Sequence, residues 1–216
     1  MKIKCFSFNP LATHCYVVYG DNEHGGQARA WIIDPSFCNE DEVREVKRFL
    51  QSEQLQVKKI LCTHLHFDHI FGAKMAVETF QCPIYGHKGD EPWLEAYHSY
   101  AAWFGVAPQT IKATDLQHLY QDDTLCDEGL QAKVLEIPGH SQGSLAYYFP
   151  EAKAVFSGDA LFAGSIGRTD MDGGDYAQLI DSIHRQLLNL PDDCQVYCGH
   201  GPATSIGWEK KENPYL

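Results

Sequence analysis

The 216 residues carry a formal net charge of −12, with 44% hydrophobic and 21% charged side chains. That is enough apolar material for a substantial core, and too acidic a balance for a chain that grips nucleic acid. No stretch approaches the length of a bilayer span, and the start, Met1-Lys2-Ile3-Lys4-Cys5-Phe6, lacks the apolar run of a signal peptide. A cytoplasmic protein without membrane attachment is the expectation. The eight cysteines are scattered and form no C-x-x-C pair; several sit inside apolar strand-like runs as small hydrophobes, and a disulfide framework is not expected.

In chain order, Lys2 to Phe8, His14 to Tyr19 and Arg29 to Ile33 predict three strands. Gly20-Asp21-Asn22 and Gly25-Gly26 are the breakers between the second and third. After Asp34-Pro35, Asn39 is placed to cap a helix whose stripe is Val43, Val46, Phe49 and Leu50. Val57 to Cys62 is a short apolar run and predicts a buried strand.

Directly after it comes Thr63-His64-Leu65-His66-Phe67-Asp68-His69, three histidines and a carboxylate within six positions. His64 and His66 are two apart, so in extended backbone they project to one side. Asp68 and His69 can face a second point nearby, and Asp68 also reads as the cap of a helix running to Phe80. Imidazole and carboxylate together suit zinc, iron or manganese, and two adjacent ligand groups suggest two metals.

Pro83 to Tyr85 predicts a short strand. Trp93, Leu94, Tyr97, Tyr100, Trp103 and Phe104 give a helix with an aromatic face, ended by Gly105 and Pro108; it either packs on the core or walls the metal site. His87 and His98 show no partner in sequence. Leu130 to Ile137, Ser144 to Phe149, Lys153 to Phe156 and Val196 to Cys198 predict further strands. A helix from Tyr176 to Leu190 turns Leu179, Ile180, Ile183, Leu187 and Leu188 inward. With no long linker, residues 1–216 are expected to form one domain, strands then helix, twice.

Three more ligand-type residues, His140, Asp159 and His200, each follow a glycine just past an apolar run. Glycine permits the sharp turn and close approach that aiming one side chain at a metal requires, and strand ends along one edge are where open sheets place their chemistry.

With these followers, the T-H-x-H-x-D-H motif resembles the metallo-β-lactamase superfamily across essentially the whole chain. The resemblance implies an α/β (α+β) fold, a four-layer αββα sandwich. It implies His64, His66 and His140 on one metal, Asp68, His69 and His200 on the other, and Asp159 bridging them. Gly158-Asp159-Ala160-Leu161-Phe162 and Gly164-Ser165-Ile166-Gly167-Arg168-Thr169-Asp170 look most like short glyoxalase II-type hydrolases. These act on hydroxyacyl thioesters through hydroxide held on two Zn(2+) ions, with Fe or Mn as alternatives. The chain stops about 16 residues after His200, so the helical domain that helps bind glutathione in the full-length enzymes is expected to be absent.

Within that reading, Asp68 orients the attacking hydroxide, and Arg168 either binds a substrate carboxylate or braces the ligands. Asp34 is a weaker candidate brace. The expected partner is a small anionic thioester, whose thiolate, with a conjugate acid of pKa about 8.5, leaves without a strong general acid. A persulfide dioxygenase, with one iron on two histidines and an aspartate of the same scaffold, is the alternative. A β-lactam hydrolase shares the first motif but lacks a bridging carboxylate like Asp159. Ribonuclease-type relatives are disfavoured by the charge, and flavodiiron proteins need a carboxylate where His66 stands.

Overall fold

A computed structural model describes residues 1–21, 26–106 and 110–216. The predicted breakers at Asn22 and Gly25, and Pro108 after the aromatic helix, lie outside the described residues.

Strands β1 (Lys2–Phe8), β2 (Thr13–Tyr19), β3 (Ala28–Ile33), β4 (Leu55–Leu61), β5 (Ile84–Gly86) and β6 (Leu116–His118) form one sheet in sequence order. The first three are antiparallel and the last four parallel. The second sheet has the order β14-β13-β10-β9-β8-β7. It is built from β7 (Thr124–Asp127), β8 (Leu130–Glu136), β9 (Leu145–Phe149), β10 (Ala154–Gly158), β13 (Gln195–Cys198) and β14 (Thr204–Ser205). Its one parallel pair is β10 with β13, and a hairpin of β11 (Leu161–Phe162) and β12 (Ser165–Ile166) stands apart.

Alternation along the strands explains the layers. On β2 and β3, Tyr16, Val18, Trp31 and Ile33 point to the second sheet and meet Val134, Tyr147, Phe149 and Phe156. The intervening Cys15, Val17, Ala30 and Ile32 point the other way, under α1 (Glu40–Ser52), α2 (Ala73–Phe80) and α3 (Glu91–Trp103). The outer face of the second sheet is covered by α4 (Tyr176–Ser182) and α5 (Ile206–Glu212), with Leu179, Ile183 and Ile206 against Val155 and Val196. The result is the expected αββα sandwich, and among the described residues no helix is long and apolar enough to cross a membrane.

Asn39 caps α1 as predicted, its side chain accepting from the Asp41 and Glu42 amides. Asp68 does not cap a helix. The chain makes a turn after His66 and α2 begins only at Ala73, with Gly72 in the cap position and no side-chain cap bond. A Cβ on Gly72 would lie 2.1 Å from the Phe37 ring, so close packing sets that start. The helix predicted to reach Leu190 is α-helical only to Ser182, then continues as a wider π-type turn over Ile183–Leu187. The short strands β6, β7 and β14 and helix α5 were not foreseen from the sequence. Two- to four-residue edge strands carry too little alternation to stand out.

Candidate metal centre

The two sheets are joined where the site lies. The Leu145 amide donates to the Thr63 carbonyl (2.7 Å) and the Tyr147 hydroxyl to the Cys62 carbonyl (2.7 Å). The Gly199 amide donates to the Gly158 carbonyl (2.9 Å), and the His14 amide to the Gly199 carbonyl (2.8 Å). The loops leaving β4, β8, β10 and β13 therefore converge at one edge of the sandwich.

All seven predicted ligands meet there. Imidazole nitrogens of His64, His66 and His140 form one compact group, and ligand atoms of Asp68, His69 and His200 another. Ring centroids of His64 and His66 are 4.6 Å apart, so the two-residue spacing does put both on one side, and His140 lies 4.8 and 4.5 Å from them. Asp159 stands between the groups: Oδ1 is 3.3 Å from His69 Nε2, and Oδ2 is 3.5 Å from His200 Nε2 and 3.8 Å from His140 Nε2.

Glycine works in two ways here. Gly158 has φ +50° and turns the chain into Asp159. Gly199 needs space instead, since a Cβ would sit 2.1 Å from Asp159 Oδ1 and 2.6 Å from His69 Cε1.

Three of these side chains, His69, His140 and Asp68, are held by partners away from the centre. Asp34 Oδ2 lies 2.9 Å from His69 Nδ1 and accepts from the Thr63 hydroxyl, while Oδ1 accepts from the Thr63 amide (both 2.7 Å). Its weaker sequence support notwithstanding, Asp34 is thus a brace for His69, leaving Nε2 to face the centre. His140 Nδ1 is 2.8 Å from the Arg168 carbonyl, and the Thr13 hydroxyl donates to Asp68 Oδ2 (2.7 Å). Arg168 meets the site through this carbonyl; its exposed guanidinium is engaged by Asp170 at 2.7 and 2.9 Å.

Sequence reasoning missed Asp90. Fully buried, it accepts from the Leu65 amide (3.0 Å), the Ser141 hydroxyl (2.8 Å) and the Gly143 amide (2.6 Å), tying the His64–His66 loop to the His140 loop. Burial raises its pKa against those three bonds. The only available signal was an acidic residue in front of a Pro-led helix, which reads as a cap. Thr13 gave no signal at all.

The aromatic segment both packs and walls the site. Trp93, Leu94 and Tyr97 are in the core, and the Trp93 ring stands edge-on to His66 at 4.3 Å. His98 is exposed, whereas His87 lies 3.4 Å from Glu136 through Nε2 and accepts from the Gly89 amide.

The donor set fits divalent metal ions. The Nε2 atoms of His64, His66, His69 and His140, and Asp159 Oδ1, are buried without any hydrogen-bond partner. Five such atoms pointing at one another are costly unless a cation satisfies them. Burial, reinforced by neighbouring histidines, lowers His64 well below its usual pKa and His66 to about 3, which keeps both neutral. Burial acts the same way on His69, but Asp159, Asp68 and Asp34 outweigh it and raise its pKa well above the usual value. Burial would raise Asp68 and Asp159, yet the surrounding histidines lower both. Neutral imidazoles and ionised carboxylates are the forms that ligate metal.

Known proteins agree with this architecture. The sequence pattern of the metallo-beta-lactamase superfamily matches residues 8–200. Probable metallo-hydrolase YqgX of Bacillus subtilis (strain 168) is 34% identical over 218 residues, spanning 100% of this chain and 98% of that protein. Hydroxyacylglutathione hydrolase GloC of Haemophilus influenzae is 33% identical over 217 residues, with the same shares. Among solved structures, BLEG-1 B3 metallo-beta-lactamase superposes with a TM-score of 0.86 at 37% identity, covering 100% of this chain and 99% of that one. TTHA1623 in a di-iron-bound form gives 0.84 at 36%, covering 99% and 100%. With its αββα layers and a His/Asp cluster that fits a dinuclear metal centre, the chain belongs to the metallo-beta-lactamase superfamily.

Proposed function

We propose that this chain is a dinuclear zinc hydrolase that cleaves hydroxyacyl thioesters. The observation that carries the reading is the set of unpartnered buried donors, four imidazole nitrogens and one Asp159 oxygen, arranged as two groups with Asp159 between. His64, His66 and His140 would hold one ion, Asp68, His69 and His200 the other, and Asp159 would touch both. Such ions, when bound, polarise a carbonyl and bring the pKa of water down to about 7.

The chain's own groups supply the rest. Asp68, kept ionised by His69 and His200 against its burial, is a fixed acceptor that orients an attacking water by one hydrogen bond. Thr13 and the Asn9 side-chain amide, which donates to the Asp68 carbonyl (3.1 Å), hold that carboxylate in place. Two ions facing two carboxylates leave a net positive centre, so an anionic oxygen is attracted despite the acidic surface. A thiolate leaves unassisted, with a conjugate acid near pKa about 8.5. The likeness to GloC supports a thioester. Asp159, reaching both groups, supports a thioester over a β-lactam even though BLEG-1 is a structural neighbour.

The test is metal analysis of protein purified without added metal, paired with a panel of hydroxyacyl thioesters, nitrocefin, and oxygen uptake with glutathione persulfide. Two zinc ions per chain with thioester turnover is the expected result. Oxygen uptake on one iron, as in a persulfide dioxygenase, or nitrocefin turnover without thioester turnover, would overturn it.

A further inference from the structure

A cavity of about 260 Å³ opens beside the metal centre, lined among others by Trp93, Ala96, Tyr100, Gln142, Asp172 and Gly173. Two ring contacts couple its wall to the ligand loop. Trp93 stands edge-on to His66 (4.3 Å), and Tyr100 stacks flat on Phe67 (4.8 Å, 3° between planes). Its other side comes from Gln142, two residues past His140, whose amide donates to the Gly173 carbonyl (2.6 Å) and to Gln178 (3.1 Å). The Gln142 amide is therefore engaged within the protein, and what faces the cavity from α3 is largely the rings of Trp93 and Tyr100 and the Ala96 methyl. The one charged group of these lining residues is the exposed carboxylate of Asp172.

We infer that this cavity holds an uncharged apolar acyl side chain of the substrate, with Trp93, Ala96 and Tyr100 determining specificity; the assignment rests on the thioester-hydrolase reading. Size decides which part of the thioester enters. At a water's share of about 30 Å³, the space takes roughly eight or nine heavy atoms. A benzyl or butyl group fits and a peptide-sized thiol does not. Rigid aromatic walls favour apolar atoms, and the Asp172 carboxylate repels a terminal carboxylate.

The experiment compares N-acetylcysteamine thioesters carrying acetyl, butyryl, phenylacetyl and succinyl groups, in the metal-loaded protein and in Ala96→Phe and Ala96→Leu. Each buried methylene is worth about fourfold in kcat/KM. The wild type is therefore expected to prefer butyryl to acetyl by roughly 15-fold and phenylacetyl by at least as much, with succinyl below butyryl. Ala96→Phe fills the cavity and should bring butyryl and phenylacetyl down to the rate that the same variant shows with acetyl, its fold being checked by circular dichroism and its metal content by elemental analysis. Ala96→Leu should lie between.

Equal rates for acetyl, butyryl and phenylacetyl, succinyl matching butyryl, or a preference that survives both substitutions would overturn the assignment. Should no thioester be turned over, the hydrolase reading falls and the cavity is judged by calorimetric titration with phenylacetate. Binding to the wild type that is lost in folded Ala96→Phe upholds an apolar pocket; no binding to the wild type overturns it.

Discussion

The two ligand groups differ in chemistry and in exposure. His64, His66 and His140 are all imidazole and almost wholly buried. The other group contains the Asp68 carboxylate and His200, whose side chain is 28% exposed against 3% for His140. Burial and mutual repulsion keep His64 and His66 neutral, whereas carboxylates outweigh burial and raise His69 and His200 above the usual imidazole pKa. One group is thus ready for a cation. The other can neutralise itself with protons, and a metal must displace them. If each group holds a metal, as proposed, the difference predicts unequal hold at the two positions.

Asp159 stands between the groups and is proposed to serve both, so Asp159→Ala should have the largest effect. Losing about 4 kcal/mol of electrophilic stabilisation corresponds to about a thousandfold in kcat/KM. Steady-state thioester kinetics with metal in excess check this, and a loss under tenfold would contradict the shared position.

Next come the braces, which separate the groups. Asp90→Ala strands the Leu65 and Gly143 amides behind the all-imidazole group; at about 1–3 kcal/mol for each buried donor left unpaired, unfolding in urea should show a loss of about 3 kcal/mol. Asp34→Asn keeps a side-chain oxygen for Thr63 but removes the charge facing His69. Metal affinity at the carboxylate-containing group should fall about 10- to 100-fold while the other group is spared. Competition with a chromophoric chelator resolves the two sites, and equal weakening of both would show that the groups do not act separately.

The smallest effect is one of acidity. As pH falls, protons compete with metal first at the groups whose pKa is raised, His69 and His200, and only later at His64 and His66, whose pKa is lowered. Metal should therefore leave the carboxylate-containing group first. Two-phase release, with the first phase gaining amplitude as pH falls, is the expected trace.

The cluster was legible because the chemistry is concentrated. Three histidines and an aspartate in six residues leave no packing account, and Gly139, Gly158 and Gly199 mark the loops that bring the other ligands in. Of what holds them, Asp34 was anticipated weakly and Asp90 and Thr13 not at all, because each is a lone residue on a distant element. Asp90 has the position of a helix cap but makes no side-chain cap bond and turns its carboxylate to Leu65, Ser141 and Gly143. Asp68 is the converse, a residue that reads as a cap and serves the centre. In both cases a buried cluster of donors outcompeted a local cap, which is worth only about 1 kcal/mol. The sandwich was expected from the resemblance that the ligand-type motif and its followers carry, while its short edge strands had no pattern to show.

The most direct measurement is anomalous scattering from crystals of protein reconstituted with zinc. Two peaks are expected, one among His64, His66 and His140 and the other among Asp68, His69 and His200, each within ligand distance of Asp159. A single peak at full occupancy, or zinc bound anywhere else on the chain, would contradict the dinuclear centre.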